Sequence, residues 1–143
     1  MIEIMLLGAP IPAARPRVTR FRTYNPKQKT MTRIKREIKY FYGALPIEDP
    51  VAIYLRFFMP LPKSLSKAKK LEMASTPCTT RNGDIDNIIK MYTDCMNGIV
   101  YKDDSQIYSV DSIKVYSFEP RVEIGIVVYP GKGICYEEKR SNK

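Results

Sequence analysis

The stretch that most limits the fold is PVAIYLRFFMP, residues 50–60. It is dense in β-branched and aromatic residues and is bounded by prolines, the marks of a strand. QIYSVDSIKVYSFEP (106–120) and RVEIGIVVYP (121–130) read as two more strands, joined by a turn around Glu119–Pro120. Ile2 to Leu7 reads as a first strand: this N-terminal apolar run carries an acid and has no basic region before it, so it does not resemble a signal peptide. A sheet with an apolar face must be covered by other elements. The helix signals lie between the strands. From about Pro26 to Tyr42, Met31, Ile34, Ile38 and Phe41 recur at three- and four-residue spacing and form one apolar stripe. SLSKAKKLEMAS (64–75) is a short basic helix candidate, and residues 86–99 repeat the helical period with Ile88, Ile89, Tyr92, Cys95, Met96 and Ile99. Asn97–Gly98 supplies the stop. Residues 9–28 hold four prolines and read as an extended basic arm, and 76–84 as a loop.

The expected class is therefore α+β, a single domain with a mixed β-sheet flanked by helices. At 143 residues and 44% apolar content the chain suits one core. The domain is expected over 1–130, with a flexible, charged tail over 131–143.

Several chemistries are excluded or disfavoured. No apolar run approaches the roughly 18 residues of a membrane span. The chain has no histidine, which removes Ser-His-Asp triads, Cys-His pairs and histidine zinc sites. Its three cysteines, Cys78, Cys95 and Cys135, form no C-x-x-C pair, so neither a zinc knuckle nor a disulfide framework is supported. A reduced, cytoplasmic protein is the default. The net charge of +9 is concentrated: ten Lys/Arg against one acid, Glu37, lie between Arg15 and Lys39. A block this dense points to a polyanion, because cations that meet phosphates release condensed counterions; a solvated basic face is the plainer reading.

Against that background GDIDNIIKMYTDCMNGIVYKDD (83–104) stands out, with Asp84, Asp86, Asp94, Asp103 and Asp104 in one short stretch. On a helix over 86–99, Asp86, Lys90, Asp94 and Asn97 share the face opposite the apolar one. Asp84 falls just before the helix, and YKDD (101–104) can fold back toward the helix start. Two readings stand. In one, Asp84 or Asp86 caps the helix and Lys90 makes surface pairs with Asp86 and Asp94, each worth about 0.2–0.5 kcal/mol. In the other, the acids hold a divalent ion. Two carboxylates about 4 Å apart repel by roughly 4 kcal/mol at an effective dielectric of 20, and an ion removes that cost. Carboxylate ligands alone suit Mg²⁺, or Mn²⁺. Such an ion promotes phosphodiester hydrolysis, with Lys90 placed to offset developing charge. The basic block then supplies the phosphate partner.

The pattern D84-x-D86-N87-x-x-K90-x-x-x-D94, a small turn with Gly98, and D103-D104-S105-Q106 resembles the signature of the RusA family of Holliday-junction resolvases, endodeoxyribonucleases often carried by prophages. The N-terminal G8-x-P10 and R15-P16-R17 agree more loosely. The resemblance implies a homodimeric, Mg²⁺-dependent α+β enzyme that binds branched DNA, the four-way junction of recombination and repair, and nicks two opposing strands symmetrically. Carried over position by position, Asp84, Asp86 and Asp104 correspond to the essential carboxylates, Lys90 to the essential lysine, and Asp103 is their neighbour. Some members have a basic residue just before the first aspartate; here Gly83 stands there, with Arg81 two residues earlier. DNA contacts are expected from Arg15, Arg17, Arg20, Arg22, Lys29, Arg33, Arg36 and Arg81. The rivals are a non-catalytic architectural DNA binder, which has no need of the acid cluster, and a metal-dependent nuclease for flaps or other branches.

Overall fold

The fold is known from a computed structural model, which describes residues 1–15, 17–80 and 83–129. In chain order its elements are β1 (Ile2–Leu7), β2 (Arg17–Val18), β3 (Thr23–Tyr24), α1 (Gln28–Tyr42), β4 (Val51–Pro60), α2 (Lys67–Met73), α3 (Ile85–Met96), a 3-10 turn (Asp104–Gln106), β5 (Ile107–Ser117) and β6 (Arg121–Val128). The domain is α+β. One mixed sheet has the order β1-β6-β4-β5, with β4 and β5 parallel and the other neighbours antiparallel. The parallel pair needs a crossover, and residues 61–106 make it, carrying α2 and α3.

Strand periodicity sets the layers. Val51, Ile53, Leu55, Phe57 and Met59 of β4 are buried, while Tyr54, Arg56 and Phe58 alternate with them and stay partly exposed. The register places Leu55 beside Ile124, and Ile124 beside Ile4, so one apolar face runs continuously across three strands. Ile34 and Ile38 of α1 and Ile88, Met91, Tyr92, Cys95 and Met96 of α3 close over it. Each fully buried Ile, Leu or Phe contributes about 1.5–3 kcal/mol relative to exposure. α2 buries no residue and lies at the periphery; Ser66 caps it, its hydroxyl accepting from Lys69 N.

Three details differ from expectation. Phe41 lies outside the α1 stripe, 55% exposed and edge-on to Tyr40. Met91 joins the buried face of α3, because a helix packed between a sheet and α1 buries a wider arc than a single stripe. The basic arm contains a small antiparallel hairpin, β2–β3. The expected tail over 131–143 lies outside the described residues. Among the described residues no helix is long and apolar enough to cross a membrane.

Candidate active site

α3 begins at the point where the chain needs glycine. Gly83 has φ +107, a conformation L side chains rarely adopt, and a Cβ there would meet Ile88 Cδ1 at 3.3 Å. This turn delivers Asp84 to the N-cap position of α3 and Asp86 to its first turn. Asp84 makes no side-chain capping bond, so the helix-cap reading does not account for it. Both carboxylates line a cleft of about 660 Å³ together with Cys78, Thr80, Ser112 and Lys114. Among the described residues neither forms an ion pair.

Two features make the acid pair tolerable. The positive end of α3 favours negative charge in its first turn by about 0.3–1 kcal/mol. Lys114, reaching in from β5, donates from its ammonium to Gly83 O at 2.8 Å, with Thr80 O at 3.5 Å. It thus holds the turn from which both aspartates project. Lys114 belongs to the site, and the strand reading passed over it. The available signal is parity: Lys114 is two residues from Ser112 and from Tyr116, on the face of β5 that leads toward the helices.

Lys90 does not converge on Asp86. Its ammonium lies 3.4 Å from an Asp94 carboxylate oxygen, one turn toward the C-terminus. Nor does YKDD return to the helix start. Tyr101 is fully buried and its hydroxyl donates to Thr93 O at 2.6 Å, while Lys102 N donates to Ile47 O. The first bond ties the segment to the C-terminal half of a helix about 18 Å long, and the second to the connection between α1 and β4. Burial, with the neighbouring Asp104 second, pushes the Tyr101 phenol well above its ordinary range. Asp103 has a local duty: it accepts from Ser105 N and forms a reciprocal capping box with Gln106, and the Ser105 bonds hold its carboxyl below the usual range. Asp104 is exposed beside it. Among the described residues, no three Asp, Glu or Cys side chains gather closely enough to share an ion. Asp84 and Asp86 are thus brought together, and Asp103 and Asp104 stand apart from them.

The cations sit around this helix. Ala13 N donates to Asn87 O at 3.0 Å and Ile11 N donates to the Tyr92 hydroxyl at 3.2 Å, which pins the arm across the first turns of α3. Four residues on, the hairpin begins, with Arg17, Arg20 and Arg22 exposed, as is Arg15 before it. Lys29, Arg33 and Arg36 are exposed along α1, which packs against α3. Arg81 lies outside the described residues.

An α+β domain that sets a carboxylate pair at a helix start under a basic arm has the parts of a metal-assisted phosphodiester nuclease. The sequence model described as Endodeoxyribonuclease RusA matches residues 8–127, and the chain belongs to that family. It is also 33% identical over 139 residues to the Bacillus subtilis (strain 168) protein described as "Uncharacterized protein YqaN", covering 87% of this chain and 94% of that one. Membership implies an endodeoxyribonuclease of Holliday junctions, and enzymes of the family are generally metal-dependent. Asp84 and Asp86 fit such an ion on their donor chemistry: Mg²⁺ is held by one or two carboxylates, with waters and substrate phosphate oxygens filling the rest.

Proposed function

We propose that this chain is a Mg²⁺-dependent endonuclease that resolves four-way DNA junctions by paired, symmetric nicks, working as a two-fold dimer. The observation that carries the reading is the Asp84–Asp86 pair, free of any cap or ion pair among the described residues and seated beside the root of a basic hairpin. Asp84 and Asp86 hold the ion, and Asp104 completes the set. When bound, the ion supplies a Lewis acid and an activated water for phosphodiester hydrolysis. Lys114 keeps the carboxylates in place. Lys90, exchanging Asp94 for the scissile phosphate, offsets the charge that builds on its oxygens. Arg15 and the hairpin arginines hold one DNA arm, and Lys29, Arg33 and Arg36 another.

Two considerations support the dimer. A junction has two equivalent phosphodiesters to cut, and one chain has one Asp84–Asp86 pair. Asp104 stands toward the far end of α3 within a chain, and a two-fold partner offers a route for it to stand opposite such a pair. Surface for the contact exists. β5 is an edge strand paired with β4 on one side; before Lys114 its outer edge carries no strand among the described residues, and Tyr108, Val110 and Ile113 on it are exposed.

The deciding experiment incubates the protein with a labelled four-way junction, a flap and a plain duplex, with and without Mg²⁺. Paired nicks in the junction only, and only with Mg²⁺, are expected. Cleavage confined to flaps would give the site to that substrate, and binding without cleavage in any divalent ion would make the chain an architectural protein. Sedimentation at micromolar concentration tests the dimer: a monomer both free and on the junction refutes it.

A further inference from the structure

The tip of the β2–β3 hairpin carries a side chain that the folded core does not use. Phe21 is 91% exposed, and Val18 of the same hairpin is 78% exposed. An aromatic ring held in water is costly, since burying a Phe is worth about 1.5–3 kcal/mol. The tip is also well ordered by its own bonds. Thr19 N donates to Arg22 O at 2.7 Å, and the Thr19 hydroxyl donates to the same carbonyl at 2.8 Å. That hydroxyl accepts from Arg22 N at 3.0 Å and more weakly from Phe21 N at 3.4 Å. Arg22 lies over the Tyr24 ring at 5.3 Å, which stiffens the second strand. Phe21 therefore stands on a braced turn, flanked by Arg20 and Arg22, in a hairpin (17–24) with three arginines and no acid.

We propose that Phe21 is a stacking wedge that inserts against unpaired or unstacked bases at the branch point of the DNA, with the flanking arginines on the adjoining phosphates. The inference rests on the junction-nuclease reading and adds how the branch is recognised. Charge complementarity selects nucleic acid as the occupant: an exposed ring between two arginines in sequence, on a hairpin with no acid, suits phosphates beside a flat apolar surface, which a base offers. Apolar wedges of this kind unstack base steps and kink the helix, and every base has a face on which an aromatic can stack. The position agrees. The hairpin springs from the arm that Ala13 fixes to Asn87, next to Asp86, so a wedge here opens the DNA close to the carboxylate pair. In a continuous duplex the ring must first unstack a base step, at a cost of a few kcal/mol, whereas a branch point has bases already unstacked, so the contact favours branched over plain DNA.

The test uses the full chain and a synthetic four-way junction with 2-aminopurine at the crossover, in Ca²⁺ to allow binding without cutting. Wild type is expected to raise 2-aminopurine fluorescence on binding. Phe21→Ala should abolish the rise and weaken junction affinity by about 5- to 100-fold, with duplex affinity and the salt slope unchanged, because no charge is lost. Phe21→Trp should restore both. Junction affinity within twofold of wild type for Phe21→Ala overturns the proposal, as does a changed sedimentation coefficient for that variant, which would place the ring in a chain–chain contact. Wild type that cuts the junction in Mg²⁺ without any fluorescence rise also overturns it and leaves the nuclease reading standing. A fluorescence rise without cutting in any divalent ion has the opposite meaning: the wedge holds and the nuclease reading fails.

Discussion

Replacing Lys114 by methionine keeps an unbranched apolar stem and removes only the ammonium. The structure gives the size of the loss. The bond to Gly83 O is 2.8 Å and of full strength, while the 3.5 Å contact with Thr80 O is too long to count. A charge-assisted hydrogen bond is worth about 1.5–3 kcal/mol net, and partial exposure of Lys114 puts this one at the low end, about 1.5 kcal/mol. The loss falls on the turn before α3, because the pairing of β5 with β4 is made by backbone. With 1.4 kcal/mol per factor of ten, the properly placed fraction of the Asp84–Asp86 turn drops by up to about tenfold. Single-turnover cleavage of an end-labelled junction at saturating enzyme should slow by about 3- to 10-fold, and the urea midpoint should move only slightly. Lys114→Arg, which keeps the charge and can reach the same carbonyl, should recover most of the rate. A Lys114→Met enzyme that cuts within twofold of wild type, in a preparation where Asp86→Asn is inactive, refutes the clamp.

Asp86→Asn is expected to abolish cleavage and leave junction affinity equal or tighter, since an amide is a poor metal ligand and the site loses a negative charge facing phosphate; gel-shift and cleavage on one substrate decide it. Lys90→Ala should cut at least tenfold more slowly while losing only about 0.2–0.5 kcal/mol of stability from the Asp94 pair, and a normal turnover rate would leave Lys90 as a surface partner of Asp94. The fold should weaken in alkali. Burial pushes the Tyr92 phenol up to about 12 from 10.0, so its contribution is complete below about pH 10 and is lost as pH rises toward 12, because the unfolded chain releases that proton first. At pH 11 the loss from Tyr92 is on the order of 1 kcal/mol. Urea midpoints at pH 8 and 11 that coincide, or a Tyr92→Phe protein that weakens as much as wild type, would contradict it.

The strands and helices were legible in the sequence because burial leaves a period. Val51, Ile53, Leu55 and Phe57 alternate, and Ile34 and Ile38 sit one turn apart. The Asp84–Asp86 pair was legible for a different reason: N-cap and first-turn positions are local, so their neighbourhood follows from spacing alone. What failed was long-range. Nothing near Gly98 announces that Tyr101 will reach Thr93 and that Lys102 will pair with Ile47, and those contacts carry Asp103 and Asp104 away from the helix start. Lys114 was hidden in the same way, because its role depends on how far the edge strand runs past the loop. The hairpin was masked by the prolines on either side of it and by its own arginines, which read as an open arm; the closing residue is Thr19, whose turn bonds are short-range but weakly marked in sequence.

The sheet order has a consequence for how the chain is made. β6, the last strand among the described residues, lies inside the sheet between β1 and β4, and β1, the first of them, pairs with nothing else in it. At about 5–20 residues per second, β1 waits on the order of ten seconds for its partner to leave the ribosome. During that interval Ile4 and Leu6, which end up buried, have no strand to lie against. Contacts this distant in sequence close slowly. The β1–β6–β4 part of the sheet therefore cannot close until Arg121–Val128 has emerged, and a nascent chain stalled before Arg121 carries no finished core with which to present Asp84 and Asp86 to DNA.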